Sequence, residues 1–348
     1  MKAIVIGDPH FQTDNISQVS MFMDKMGELA KKERPDFIVI LGDLLHTHER
    51  IHTIPLNKAY EFIDLMRNIA KTFVLVGNHD MINNSVYLNN NHWMNGLKHW
   101  KNVEIVDKVV YSVMDGMEFF FLPYVPPGRF QEALNSGGHD WKKADCIFAH
   151  QEFYGCKMGA IISVEGDKWP ENYPHVVSGH IHSRQKIGKN VYYCGASMQH
   201  AFGESERNVI AILTWGKKGE PYILNEVELD LPRKKIIYTD IETVQDYKIT
   251  DTKDKIKITI SGVYDEFKAF KKTEKYRELI KSGTKVVFKP KKIDDEEKNP
   301  EMSKVVDESD FNRILMELVN KEKNPFLYGV FELVVNSKTV KEEDILFL

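Results

Sequence analysis

Cysteine is scarce in this chain: its 348 residues hold only Cys146, Cys156 and Cys194. An odd number with no CxxC pair argues against a disulfide framework and fits a reducing interior. No apolar run approaches the length of a membrane span. The N-terminus opens directly on the strand-like Lys2-Ala3-Ile4-Val5-Ile6, without the tripartite pattern of a signal peptide. A cytoplasmic protein with no membrane partner is the expectation. Neither sign of charge dominates, with 47 Lys and Arg against 51 Asp and Glu, a net charge of −4 and a pI of about 6.4. Bulk charge therefore lends no support to nucleic-acid binding, and any such binding needs a local patch. No internal repeat is found. What is present is an ordinary globular balance, 42% hydrophobic and 28% charged, in a chain long enough for one large domain and a smaller one.

Residues 1–80 read as β-α-β-α-β. Phe22, Met26, Leu29 and Ala30 recur at helical spacing between the apolar runs Ala3–Ile6 and Phe37–Leu41. Tyr60, Ile63, Leu65 and Met66 suggest a second helix before Phe73–Val76. Short apolar strands alternating with helices indicate an α/β sheet buried on both faces. From 103 onward strands dominate: Val103–Val106, Val109–Val113, Glu118–Leu122, Cys146–Ala149, Val176–Ser178, Val191–Tyr193 and Asn208–Leu213. A two-sheet β-sandwich flanked by helices is expected over residues 1–231. A boundary falls near Leu231-Pro232-Arg233-Lys234-Lys235. Beyond it, strand Lys255–Ile260, helix Glu266–Lys281 and strand Lys285–Lys289 form a small α+β unit, residues 232–292. Residues 293–348 read as a charged linker and a helical tail, with Phe311, Ile314, Leu315, Leu318 and Val319 on one face.

Five short blocks place polar residues at strand ends: Asp8-Pro9-His10, Gly42-Asp43, Gly77-Asn78-His79-Asp80, His150, and Gly179-His180-Ile181-His182. Asp8 and His10 stand at i and i+2, which point the same way in an extended segment and so can face one metal. Alone, DxH also describes a surface loop. A carboxylate at Asp43 can bridge two cations, and Gly42 permits the sharp turn it needs. Asn78 can ligate through its amide oxygen, His79 can serve a phosphate or leaving oxygen, and Asp80 can orient that imidazole. His180 and His182 repeat the i, i+2 geometry. Each block alone has an ordinary explanation, as turn, cap or core histidine. Together they put seven ligand-type side chains, Asp8, His10, Asp43, Asn78, His150, His180 and His182, at one locus outside the carboxyl ends of strands. The mixture of carboxylate, amide and imidazole suits Mn, Fe or Zn better than an all-oxygen Mg site. Two such ions can activate water and clamp a phosphoryl group, so phosphate-ester hydrolysis is the expected reaction class.

The order DxH, GD, GNHD, H and GHxH resembles the signature of the calcineurin-like metallophosphoesterase superfamily over roughly residues 1–215. Within it the chain is similar to the nuclease subunit of SbcCD-type recombination and repair complexes, in its compact phage or viral form. Gly42-Asp43-Leu44-Leu45-His46, the segment Tyr193–Ser197 with Phe202-Gly203-Glu204, and the order of cap and tail carry that likeness. The resemblance implies one metal on Asp8, His10, Asp43 and His182, and a second on Asp43, Asn78, His150 and His180. The ions would be Mn2+, with Mg2+, Fe2+ or Zn2+ as alternatives. It implies that His79, oriented by Asp80, assists the leaving group, and that His46 guides the strand end. It implies DNA as substrate, an SMC-like coiled-coil ATPase bound through the tail, and a homodimer. A metallophosphatase or small-molecule phosphodiesterase, or a non-catalytic scaffold on the same fold, is the alternative. The chain departs from the family pattern at Phe11 and Gln12, where Leu-Gly is usual, and at Ala196, where serine is usual. Lys142, Lys143, Arg184, Lys186 and Lys189 are candidate phosphate contacts.

Overall fold

The computed structural model describes residues 1–291, apart from 49, 206 and 249–251, and beyond them Met316, Val319 and Lys321. The chain divides into two compact units, Met1–Lys291 and Lys292–Leu348. The apolar tail face expected from Phe311 to Leu318 lies outside the described residues.

In the first unit, strands β1 (Lys2–Ile6), β2 (Phe37–Ile40), β3 (Lys71–Leu75) and β4 (Val103–Val106) run parallel. Helix α1 (Ile16–Glu33) connects the first two and α2 (Thr53–Arg67) the next two. Then follow β5 (Val110–Met114), β6 (Met117–Phe121), helix α3 (Phe130–Ser136) and β7 (Cys146–His150). A short hairpin, β8 (Lys157–Met158) and β9 (Ile161–Ile162), precedes β10 (Val176–Gly179), β11 (Gln185–Ile187), β12 (Val191–Tyr193), β13 (Ile210–Thr214) and β14 (Ile223–Val227). They make two six-stranded sheets, in the orders β14-β13-β1-β2-β3-β4 and β11-β12-β10-β7-β6-β5.

Period-two alternation explains the unbroken apolar strands. In β2, Phe37 and Val39 face the second sheet, while Ile38 and Ile40 face α1 and α2. Both sets are fully buried, so neither face tolerates a polar residue. The layer between the sheets is aromatic. Phe73 and Phe121 stack at 3.9 Å, and Phe37, Phe119, Phe148 and Trp215 surround them. On α2, Phe62, Ile63 and Met66 are buried in the outer core.

The cap is built from β15 (Lys234–Asp240), β16 (Lys255–Gly262), α4 (Tyr264–Phe270), α5 (Glu274–Lys281) and β17 (Lys285–Pro290). Its three strands are parallel, ordered β15-β16-β17. Two expectations are corrected here. The single helix Glu266–Lys281 is two helices, because Thr273 stops the first and caps the second by accepting the Tyr276 N–H. The break turns Phe267, Phe270 and Leu279 onto one small core with Ile258 and Ile260. The Lys234-Lys235 stretch, expected to be a boundary, begins the edge strand β15, and lysine is a residue that sheet edges favour.

The cap is tied to the rim of the larger domain. Gln18 of α1 donates to the Pro232 carbonyl. Gln199 brackets Lys234, accepting its N–H at 2.6 Å and donating to its carbonyl at 3.2 Å. The buried Lys234 ammonium in turn donates to the His200 carbonyl.

Candidate active site

Because β1, β2 and β3 are parallel in one sheet and β7 and β10 are parallel in the other, their carboxyl ends gather the five polar blocks. Asp8, His10 and His150 are fully buried, and Asp43 and Asn78 nearly so. Burying unpaired charge is expensive, so such a cluster persists only where its members neutralise one another or a cation.

The backbone reaches this arrangement by strain rather than by extension. Asp8 (φ 36°), His10 (φ 45°), Asp43 (φ 49°) and His180 (φ 77°) all adopt left-handed conformations. This corrects the reason given for the DxH and HxH pairs: their members do not share a direction through an extended i, i+2 segment. Each such residue costs of order 1–3 kcal/mol and is held by its surroundings. The turn at Asp43 depends on two glycines. Gly42 has φ 107°, and a Cβ on Gly77 would collide with Asp43 Oδ1. Packing the second and third strand ends this tightly is what aims the Asp43 carboxylate.

Asp43 is the hub. Its Oδ1 accepts the His79 N–H at 2.8 Å, and its Oδ2 lies 3.6 Å from His10 Nε2 and 3.3 Å from His150 Nε2. On one side, His10 Nε2 and His182 Nε2 face each other at 2.9 Å. On the other, His150 Nε2 and His180 Nδ1 each lie 3.0 Å from Asn78 Oδ1. Asp8 spans the two: its Oδ1 accepts the His180 N–H at 2.9 Å, while its Oδ2 is buried without a hydrogen-bond partner. Two sets of donor atoms lie close enough to share an ion, His10–Asp43–His79 and Asp43–His150–His180.

The titration behaviour follows. Burial, and next Asp43's charge, push the Asp8 carboxyl up to about 6, against the pull of His150. Burial also opposes ionisation of Asp43, but His150, by charge and hydrogen bond, and His10 bring that group well below the usual carboxylate range. For His150, burial is outweighed by Asp43 and Asp8, which raise it to about 9. Burial holds His10 low and His180 near 3, so both are neutral in the metal-free protein, whereas His150 and His182 would have to release a proton on binding a cation. An orphaned carboxylate oxygen, two imidazole nitrogens facing at 2.9 Å and a shared central carboxylate fit two divalent cations. Asp8, His10, Asp43 and His182 would hold one, and Asp43, Asn78, His150 and His180 the other.

His79 and Asp80 part company. His79 Nδ1 lies 2.7 Å from the His46 carbonyl. It must carry the proton there, which leaves Nε2 free for the site. Asp80 does not touch the His79 imidazole, contrary to expectation. Its Oδ1 accepts from the Leu45 N–H and the Trp93 indole, and its Oδ2 from the Leu44 and Gly77 N–H groups. All its acceptor capacity is spent on fixing the loops that carry Asp43 and Asn78. His46 contributes its carbonyl, and its ring Nδ1 sits 3.4 Å from His10 Nδ1.

Three of the candidate phosphate contacts are not brought to this locus. Lys142, Lys143 and Lys189 precede β7 and β12, so they sit at the opposite end of strands whose carboxyl ends form the site. The five residues of β7 alone span about 16 Å. Arg184 is tied to Glu226, and Lys186 lies on the edge strand β11.

Three site neighbours were missed. His48 stacks on His79 at 4.5 Å, and the spacing His46-Thr47-His48 repeats the HxH pattern. His200 donates from Nε2 to the Asp8 carbonyl at 2.9 Å. Glu204 Oε1 lies 3.2 Å from His182 Nδ1, while Oε2 accepts the His200 and Ala201 N–H groups. Only the Phe202-Gly203-Glu204 segment hinted at the last, through resemblance. Glu204 fixes His182 with Nε2 toward His10 and raises its basicity. Glu204→Gln keeps an acceptor for the loop and loses the charge. Its Mn2+ affinity, measured by calorimetry, is expected to fall about 10–100-fold with the melting temperature unchanged.

Residues 1–184 match the model of the calcineurin-like phosphoesterase family. The chain belongs to that family. It is 46% identical over 297 residues to "Putative phosphoesterase 078R" of Invertebrate iridescent virus 3, covering 84% of this chain and 85% of that one. It is 47% identical over 277 residues to "Putative phosphoesterase 244L" of Invertebrate iridescent virus 6, covering 78% and 98%. Among solved structures, GAP50, the anchor in the inner membrane complex of Plasmodium, aligns with TM-score 0.41 and 14% identity over 66% of this chain and 85% of that one, too loosely to bear on function. This calcineurin-like phosphoesterase is a hydrolase of a family that uses divalent metals. No helix among its described residues is long and apolar enough to cross a membrane.

Proposed function

We propose that this phosphoesterase is a metal-dependent DNA nuclease, cleaving phosphodiesters at the Asp43 centre with Mn2+ as its metal. Bound at the two ligand sets, the ions would polarise the phosphoryl group and lower the pKa of the attacking water. The chain's own residues do the rest. Asp43 draws the two sets together, and burial holds His79 below the ordinary histidine range. The His46 carbonyl fixes the Nδ1–H tautomer, so the neutral His79 ring presents Nε2 as a base, and it delivers a proton to the departing oxygen only from the imidazolium formed when Nε2 has taken one up.

The observation that supports the DNA reading is a pair of lysines on β16 beside the site loops. Lys255 Nζ donates to the carbonyl of Asp14, four residues past His10, and Lys257 Nζ lies 5.8 Å from the Phe202 ring centroid, two residues from Glu204. In a chain of net charge −4, these lysines supply the local patch that a polyanion needs. The deciding assay compares degradation of duplex DNA with turnover of a phosphomonoester, in Mn2+ and in Mg2+. DNA cleavage is expected, falling about 10²–10⁴-fold in His79→Ala. Monoester turnover without DNA cleavage would mark a phosphatase on the same fold.

The same proposal includes pairing of two copies and an SMC-like ATPase partner held by residues 293–348. Deleting residues 306–348 is then expected to abolish co-purification with the ATPase while sparing Mn2+-dependent hydrolysis.

A further inference from the structure

Beside the metal-ligand cluster lies a cleft of about 800 Å³, lined by Lys157, Met158, Ala160, His180, His182 and Phe202. One wall is the β8–β9 hairpin. Of its residues Met158 and Ala160 line the cleft, and just beyond them Ile161 is 67% exposed and Ile162 57%. Exposed apolar groups this close together need a reason. Looseness is not the reason, since the base of the hairpin is pinned. Gln185 clamps it twice, accepting the Lys157 N–H at 2.8 Å and donating to the Lys157 carbonyl at 2.9 Å. The Ser163 N–H reaches the Cys156 carbonyl, and the Gly155 N–H reaches that of Ser163. At the tip Gly159 turns with φ 64°. The fold thus holds an apolar strip rigidly outward at the edge of the reacting centre.

We infer that this hairpin and Phe202 form a binding wall for unpaired nucleobases flanking the scissile phosphate. The cleft is continuous with His180 and His182, so its occupant is the part of the substrate attached to the phosphate. That part must offer apolar faces to Met158, Ala160 and Phe202, and negative charge to Lys157 and to Lys257 beside Phe202. A nucleotide strand with its bases turned out has both. A paired duplex hides its base faces and presents only sugar and phosphate, which would leave the apolar strip in water. The wall therefore selects single-stranded or frayed ends. Naming nucleotides rests on the nuclease reading; the apolar wall does not.

The test uses the full chain stripped of metal with EDTA, so that binding is read without cleavage. Fluorescence anisotropy compares an oligothymidylate of about 20 nucleotides, long enough to fill a single-strand groove, with a blunt duplex of the same length. The wild type is expected to prefer the single strand. Phe202→Ala, and separately Met158→Ser, are expected to weaken single-strand binding about 10-fold and duplex binding far less. Met158 is exposed, so Met158→Ser is expected to melt with the wild type even if Phe202→Ala does not. Unchanged single-strand affinity in Met158→Ser overturns the inference, and so does equal loss on both DNAs. If the wild type cleaves DNA and the variants bind normally, only the wall is wrong. If the Mn2+ enzyme hydrolyses bis(p-nitrophenyl) phosphate but neither binds nor cuts DNA, the nuclease reading fails first.

Discussion

Asp43→Asn is expected to lower phosphodiester hydrolysis by at least about 10³-fold, or about 4 kcal/mol of barrier. No other side chain belongs to both sets of donor atoms that can share an ion among the described residues. The amide that replaces the carboxylate removes a negative charge, and one of its two heads can no longer accept. Whichever head points to Oδ2's place, either the His79 N–H or the approach to His10 and His150 loses its oxygen. His150, held near pKa 9 chiefly by Asp43 against burial, is then expected to titrate lower. Calorimetry with Mn2+ should show fewer than two ions bound, and circular dichroism an intact fold. If the Asp43→Asn enzyme binds two ions and keeps its rate, Asp43 is not the hub.

Asp80→Ala is expected to destabilise the protein by about 2–5 kcal/mol, seen as a lower urea midpoint, rather than to shift the pH profile of hydrolysis alone. Truncation leaves the N–H groups of Gly77, Leu44 and Leu45 and the Trp93 indole without their acceptor in a buried loop. Had Asp80 served the imidazole, the main effect would be on His79's proton. The pH dependence has a definite sign. Burial, then Asp43's charge, raise the Asp80 carboxyl to about 7 in the metal-free protein, against the donors that favour its anion. A group whose folded pKa is raised stabilises at low pH, below its unfolded value of about 4, and its contribution is lost as pH rises through about 7. Asp80 is therefore expected to contribute a loss of stability in the metal-free wild type between about pH 4 and 7. Asp80→Asn, which cannot ionise, is expected to flatten that part of the slope. An equal slope in wild type and variant would place the titrating group elsewhere.

The two substitutions separate what was readable in advance. The seven ligand-type residues that converge here all stand at the ends of apolar runs, where a strand buried on both faces has a sharp hydrophobic boundary and a polar residue just past it stands out. The roles were less legible. Asp80 stands next to His79 in the chain but serves Leu44 and Leu45, which are 36 and 35 positions away. Glu204 and His200 are distant in sequence from the residues they support, and nothing local marks them. Lys142, Lys143 and Lys189 fell at the far end of their strands because charge carries no information about which end of a strand it occupies, and Arg184 is engaged by Glu226.

The sequence by itself determined the reaction class and the layered sheet core, since both depend on local pattern: alternation within strands, and ligand chemistry at their ends. Only the tertiary structure decided that Asp8, His10, Asp43 and His180 reach the site through left-handed turns rather than extended pairs. It alone decided that Asp80 clamps loops, that Glu204 backs His182, and that an apolar hairpin stands at the rim of the cleft. Each of these depends on contacts between segments far apart in the chain, and such contacts exist only once the two sheets have packed.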